Sequence, residues 1–189
     1  MAERLEEAVV GLSPAFLRPP GALDELAFLT ACTRCDRCLE ACPQDALLRV
    51  PPSGGLALGT PQLVPRATPC FLCEDLPCVR ACPEGALSWP RIAGSSGEVQ
   101  EGPSAVRIGT ARIRESRCLT WPRAEDAAEP CHACLDRCPH PGSALDLVPT
   151  EPDGIPHPVV NPEACTGCGL CEFVCPAGKP AIVVEPRRD

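Results

Sequence analysis

The 189-residue chain is short of the residues that usually build a core. It has no tyrosine, one methionine, two tryptophans and four phenylalanines, so aromatics make up 3 % of it. The hydrophobic fraction of 44 % is inflated because it counts sixteen cysteines. With 25 prolines and 15 glycines, loops and short elements are expected, and such a chain struggles to bury enough apolar surface unaided. A long apolar run is missing too: no stretch approaches the roughly 18 residues of a membrane span. Residues 1–12 set Glu3, Glu6 and Glu7 against Arg4, without the cationic start of a signal peptide. Leu5, Val9 and Leu12 there suggest a short amphipathic helix that packs on the rest. Cytoplasmic residence is the expectation, with a periplasmic one if an export signal lies outside this sequence. Positive charge is also scarce. The net charge of −8 excludes nucleic-acid binding, which wants a basic stripe. No Ser-His-Asp set, phosphate loop or paired carboxylates stand out, and Gly54-Gly55 is no nucleotide fingerprint, so no catalytic residue is assigned.

What the chain does have is cysteine in four blocks, each ending in Cys-Pro. Cys32, Cys35, Cys38 and Cys42 form the first and Cys165, Cys168, Cys171 and Cys175 the last. Both read C-x2-C-x2-C-x3-C-P, the bacterial-ferredoxin run that holds [4Fe–4S] clusters. Cys70, Cys73, Cys78 and Cys82 give C-x2-C-x4-C-x3-C-P, and Cys118, Cys131, Cys134 and Cys138 give C-x12-C-x2-C-x3-C-P. Three cysteines at a period of three cannot share one face of a regular helix or strand. They suit a loop wrapping one corner of a cluster, while the fourth ligates the neighbouring cluster. The proline after it stops the short helix expected to carry it. All sixteen cysteines are therefore read as ligands of four [4Fe–4S] clusters. The clusters would act as the core, and their removal should unfold the chain. Disulfides suit small secreted chains, and zinc sites want two C-x2-C pairs across a longer span; only the third block bends toward that. Sixteen thiolates and four oxidised cores would take the charge to about −16, which suits an electron carrier docking on a basic patch of a redox partner.

Each Cys-Pro leads into a restart such as Pro43-Gln-Asp-Ala-Leu47 or Pro83-Glu-Gly-Ala-Leu87. Strands are predicted at Leu47–Val50, Leu87–Trp89, Leu145–Val148 and Ile182–Val184, with others at Val106–Ile113 and Val159–Val160. A helix is predicted near Leu23–Thr30. Segments 51–61, 93–104 and 149–158 read as loops. The fold class is α+β: two ferredoxin-like two-cluster units with short helices, small β-hairpins and many loops. The domain reading is a helical extension over 1–31, a four-cluster region over 32–184 and a tail over 185–189. The insertion Leu119–Pro130, with Trp121, is a tolerated surface loop or a docking loop. His132 and His140 are structural or solvated, since every block already has four cysteines, and His157 is a loop residue.

Arg18-Pro-Pro-Gly-Ala-Leu-Asp-Glu-Leu-Ala-Phe-Leu-Thr-Ala-Cys32, Pro69-Cys-Phe-Leu-Cys-Glu-Asp-Leu-Pro-Cys-Val-Arg-Ala-Cys-Pro83 and Ile108-Gly-Thr-Ala-Arg-Ile113 before a stretched third block resemble the MauM/NapG-type ferredoxins over about residues 18–184. That resemblance implies an electron-transfer protein of nitrate-reduction or methylamine systems, partnered by a membrane quinol dehydrogenase or a catalytic oxidoreductase subunit, and all sixteen cysteines match ligand positions. Such proteins usually carry a twin-arginine export signal, which these residues lack. A maturation factor supplying electrons to another metalloenzyme is the alternative. Two pairings of blocks stay open. Restart lengths favour sequential pairing, one with two and three with four. The strand Val106–Ile113, the match of regular with regular block, and the likeness of Cys73-Glu-Asp-Leu-Pro-Cys78 to four-cluster subunits of molybdenum oxidoreductases favour nested pairing, which is the expectation. It joins 32–42 to 165–175 and 70–82 to 118–138.

Overall fold

A computed structural model of the chain describes residues 16–93, 97–121, 131–149 and 156–187. The helix expected around Leu5–Leu12, residues 122–130 of the insertion, and parts of the loops 93–104 and 149–158 lie outside the described residues. The described residues form short helices and two-stranded antiparallel sheets, gathered in two units. The first draws on Met1–Val64, Leu72–Ile108 and Pro186–Asp189, the second on Pro65–Phe71 and Gly109–Glu185.

In the first unit, helix α1 (Glu25–Ala31) starts at Asp24, whose carboxylate accepts the Ala27 N–H at 3.1 Å. That bond satisfies one of the orphan donors of the first turn. Phe28 on this helix is fully buried. Beside it lies Arg18, itself buried, its guanidinium 4.7 Å from the Phe28 ring centre. Arg18 donates to Glu25 at 2.9 and 2.5 Å, to the Thr60 hydroxyl at 2.9 Å and to the Pro61 carbonyl at 2.9 Å. A buried cation persists only when paired and hydrogen-bonded in this way. The proline-rich lead-in is thereby fixed to a segment some forty residues on, so residues 16–31 are integral to the unit rather than an extension of it.

Helix α2 (Arg37–Glu40) follows, then the hairpin of β1 (Leu47–Arg49) and β2 (Pro61–Leu63), with Leu47 opposite Leu63. Leu47 and Leu63 face the core and Leu48 faces water, the period of two that a half-buried strand requires. Helix α3 (Pro77–Arg80) opens with proline, which costs nothing at a first helical position. It leads to the hairpin of β3 (Arg91–Ala93) and β4 (Val99–Glu101). The strand predicted at Leu87–Trp89 is reduced to one bridge between Ala22 and Leu87.

The second unit runs β5 (Gly109–Ile113), α4 (Ala133–Asp136), β6 (Leu145–Val148), β7 (His157–Val160), α5 (Leu170–Val174) and β8 (Ile182–Pro186). β6 and β7 form an antiparallel hairpin, Leu145 opposite Val160, and β5 pairs with β8. Its buried apolar side chains are aliphatic, with Ala111, Ala144, Leu145, Ile182 and Val184 among them. β8 runs past 184, where a tail was expected to begin. His157, read from sequence as a loop residue, is a buried strand residue stacked on Trp121 with ring centres 4.3 Å apart. Trp121 thus packs on the unit at the start of the insertion.

The nested pairing is overturned. Helices α2 and α3 pack together in the first unit and α4 and α5 in the second, so block one joins two and block three joins four. The reason is chain connection. The hairpin after block one returns the chain toward block two, and the hairpin after block three returns it toward block four; these short closures are favoured over long ones. The continuity read into Val106–Ile113 is absent, because 106–108 belong to the first unit and Gly109–Ile113 pairs with β8 in the second.

Candidate metal centres

The blocks share a backbone device. In blocks one, two and four the residue before the second cysteine is left-handed: Arg34 at φ 59, Leu72 at φ 51 and Gly167 at φ 72. So is the residue that starts the short helix: Asp36 at φ 63, Leu76 at φ 40 and Gly169 at φ 84. Left-handed residues set into such a loop turn nearby N–H groups toward one concavity, a nest suited to an anion. The helix carries the third cysteine (Cys38, Cys78, Cys134 or Cys171) and ends before the fourth, which lies at or just past the cap. The sequence expectation that this helix carries the fourth cysteine is corrected accordingly.

The thiols then gather in groups drawn from two blocks. Cys32, Cys35 and Cys38 share a cavity with Cys82. Cys118, Cys131 and Cys134 share one with Cys175, and Cys165, Cys168 and Cys171 share one with Cys138. Counting space open to solvent, the three cavities measure about 390, 380 and 370 Å³, a matched set. In the first unit Cys42 faces Cys73 and Cys78, whose thiols its charge perturbs. Cys70 belongs to the second unit, where its N–H donates to the Cys168 carbonyl at 2.8 Å.

The thiols at the third position of each block are the ones held most firmly protonated without iron. Burial, then the neighbouring Cys32, Cys78 and Cys82, push Cys38 up to about 12. Burial first and Cys42 second push Cys78 up to about 11, and burial first and Cys131 second do the same to Cys134. Cys171 is raised further, by burial first and then by Cys168 and Cys165. Four thiolates in a buried ring are stable only around compensating positive charge. Backbone N–H groups are also turned on the sulfurs. Ala46 donates to Cys42 Sγ at 3.4 Å, Leu87 to Cys82 Sγ at 3.4 Å and Ala181 to Cys175 Sγ at 3.3 Å. Among the described residues no three Cys, His, Asp or Glu side chains converge on a point as one metal ion requires; the thiols ring a space instead. Nest, ring and N–H···S bonds fit an anionic polynuclear cluster with thiolate at each corner.

A model of the 4Fe-4S dicluster domain matches residues 31–86 and 129–179. The first match spans blocks one and two, and the second spans all but Cys118 of blocks three and four, the same division that the structure makes. The methylamine utilization ferredoxin-type protein MauM of Paracoccus denitrificans (strain Pd 1222) is 42 % identical over 173 residues, covering 90 % of this chain and 71 % of that protein. The chain belongs to the MauM/NapG ferredoxin-type family. The ferredoxin-type protein NapG of Escherichia coli (strain K12) is 38 % identical over 187 residues, 96 % of this chain and 75 % of that protein. NapF of the same organism is 34 % identical over 169 residues, 89 % and 84 % of the two chains. No solved structure matches. As a MauM/NapG ferredoxin-type protein the chain is an iron–sulfur electron-transfer protein with two dicluster regions, consistent with four [4Fe–4S] clusters. No helix among the described residues is long and apolar enough to cross a membrane.

Two arginines at these centres escaped the sequence reading. Arg66 donates to the carbonyls of Glu172, Phe173 and Cys175 at 3.1, 3.0 and 3.0 Å. It thus holds the end of α5, which passes from Cys171 in one group to Cys175 in another. Arg34 lines the first cavity. Neither stands at a spacing that marks it in sequence. His140 lines the group of Cys165, Cys168 and Cys171, and His132 precedes α4.

Proposed function

We propose that the chain relays single electrons through four [4Fe–4S] clusters between redox partner proteins and holds no substrate of its own. The ligand sets are Cys32, Cys35, Cys38 with Cys82; Cys73, Cys78 with Cys42, to which the C-x2-C spacing adds Cys70; Cys118, Cys131, Cys134 with Cys175; and Cys165, Cys168, Cys171 with Cys138. The observation that carries this reading is the exchange of fourth cysteines. Cys82 sits with block one while Cys42 faces block two, and Cys175 sits with block three while Cys138 sits with block four. Each exchange makes two neighbouring centres of one pair of blocks, the arrangement for passing an electron from one to the next. When bound, each cluster supplies one-electron chemistry. The chain's own residues set its potential by burial, by N–H bonds to sulfur and by nearby charge. The family resemblance implies a membrane quinol dehydrogenase as one partner.

The test is anaerobic preparation, iron and sulfide analysis, and stepwise reductive titration followed by electron paramagnetic resonance. About sixteen iron and sixteen sulfide per chain, with spin coupling between reduced neighbours, are expected. Homogeneous loaded protein with eight iron, or clusters that no partner or mediator reduces, would sink the reading. A maturation role predicts something different: loss of the clusters would block assembly of a partner's cofactor and leave turnover by the mature partner unchanged.

A further inference from the structure

Among the sixteen cysteines, all of them described, Cys35 alone is exposed. Its neighbours on either side are unusual. Arg34 and Asp36 occupy the left-handed positions where block four has Gly167 and Gly169, at a strain cost for a residue bearing a Cβ. Glycine would make the same turn without that cost, so the turn does not explain the arginine. Asp36 is neutralised by Arg49, which grips both its oxygens at 2.9 and 2.5 Å. Arg34 and Arg37 are exposed, and no ion pair joins either to a carboxylate among the described residues. The guanidinium of Arg34 is aimed at backbone instead, donating to the carbonyls of Leu58 at 2.8 Å and Leu56 at 3.1 Å. Those bonds hold two leucines at the rim, Leu56 79 % and Leu58 46 % exposed. A large apolar side chain left that open beside a functional centre marks a contact surface.

We propose that the surface around Cys35, bounded by Arg34, Arg37, Leu56 and Leu58, is the face on which the first unit exchanges electrons with a partner protein that is acidic around an apolar centre. The chain's net charge of −8 points the other way, toward a basic partner. At close range the local charges decide, because charge farther off than about 10 Å is screened at 0.1 M salt. The two arginines stand beside the one exposed cysteine, Cys35. The leucines supply the apolar contact, and the arginines supply steering and register. The inference rests on the electron-transfer reading above and adds where the electron leaves and what kind of surface takes it.

The test uses the loaded full chain and two kinds of probe. The redox-inert paramagnetic anion hexacyanochromate(III), titrated against the oxidised protein, should broaden the methyl signals of Leu56 and Leu58. Broadening confined to other residues overturns the proposal, and this measurement needs no variant. The reduced protein is then mixed with ferricyanide, a trivalent anion, and with hexaamminecobalt(III), a trivalent cation. In the first reaction one electron leaves the protein and iron(III) of the probe becomes iron(II). At low ionic strength R34Q/R37Q should slow the ferricyanide reaction about tenfold, the low end of electrostatic steering, and should leave the cobalt reaction as fast or faster. Arg34→Lys should restore most of the rate. Arg112→Gln, the same charge change in the second unit, serves as the reference. Equal slowing with both probes, or no more slowing than in Arg112→Gln, overturns the proposal. Iron content and the paramagnetic spectrum of each variant show whether the clusters are present, so failure to bind clusters, which would strike the electron-transfer reading, is distinguished from failure of the docking face.

Discussion

Blocks one and four have identical cysteine spacing and opposite surroundings. In block four Cys165, Cys168 and Cys175 are buried. Its two left-handed residues are glycines, Gly167 crowded by backbone and Gly169 by the ring of a proline. A Cβ on Gly167 would stand 2.2 Å from the Gly109 nitrogen, and one on Gly169 would stand 2.4 Å from Pro65 Cβ. In block one Cys35 is exposed, and the same turns are made by Arg34 and Asp36, whose side chains run over the surface to Leu56, Leu58 and Arg49. The motif sets the turn; what packs on the turn sets whether it admits a side chain. In block four the turn must be glycine, because Gly109 and Pro65 leave a Cβ no room, whereas in block two Leu76 makes the turn while buried. An exposed turn can carry charge at a strain cost, and there the charge becomes available to a partner.

The largest test of that contrast is removal of iron. Chelation should abolish near-ultraviolet and most far-ultraviolet dichroism in both units, a loss of the whole folding free energy of about 5–15 kcal/mol. It should do so in two phases, with the group holding exposed Cys35 losing iron first. Loss from the buried group of Cys165, Cys168 and Cys171 ahead of it would break the link between exposure and lability. An apo chain that keeps its dichroism would show that the clusters are not the core.

Removing fourth cysteines comes next. Cys82→Ala should cost about four iron from the first unit and Cys175→Ala about four from the second, each without touching the other unit. Difference spectra of the paired variants read this directly. Loss of iron from the second unit in Cys82→Ala, or from the first unit in Cys175→Ala, would restore nested pairing.

Exchanging the turn residues sharpens the comparison further. Gly167→Ala should destabilise the second unit by about 3 kcal/mol or more, since it combines a steric clash with backbone and a left-handed strain. Arg34→Gly should change the first unit by no more than about 1 kcal/mol, because relief of strain offsets lost hydrogen bonds and added chain entropy. Denaturant melts of the loaded variants measure both. Equal costs would mean that the two turns are packed alike after all.

The smallest effect is at Glu172, a buried carboxylate on α5 that accepts the Val184 N–H at 2.7 Å. Burial raises its carboxyl above the usual range, against the lowering pull of that N–H and of Arg66. A carboxyl whose proton is held more tightly in the fold stabilises fully at pH below its usual value, and that contribution is lost as pH rises through the raised one. Glu172→Gln keeps an acceptor for Val184, so it should leave stability in acid within about 1 kcal/mol. It should also flatten the decline between mildly acid and neutral pH. An unchanged decline would place its origin elsewhere.

The sequence by itself determined the chemistry. Four cysteines per block, the last of them followed by proline, admit few ligands besides iron–sulfur clusters, because the spacing fits a loop around a corner and little else. It also determined some elements, since β6 falls where the restart after Cys-Pro placed it and α1 lies within two residues of its predicted span, whereas β4 stands in a segment read as a loop. The tertiary structure decided which blocks join. Spacing is blind to that, as every block offers three ligands and lends one, and any two could trade. Hairpins β1–β2 and β6–β7 made the trade local. The tertiary structure also decided that His157 is buried against Trp121, that Arg18 is held in the first unit's core, and that Cys35, next to Arg34 in the chain, is the one exposed ligand. Each depends on what segments distant in the chain bring against it, and a linear spacing carries no record of that.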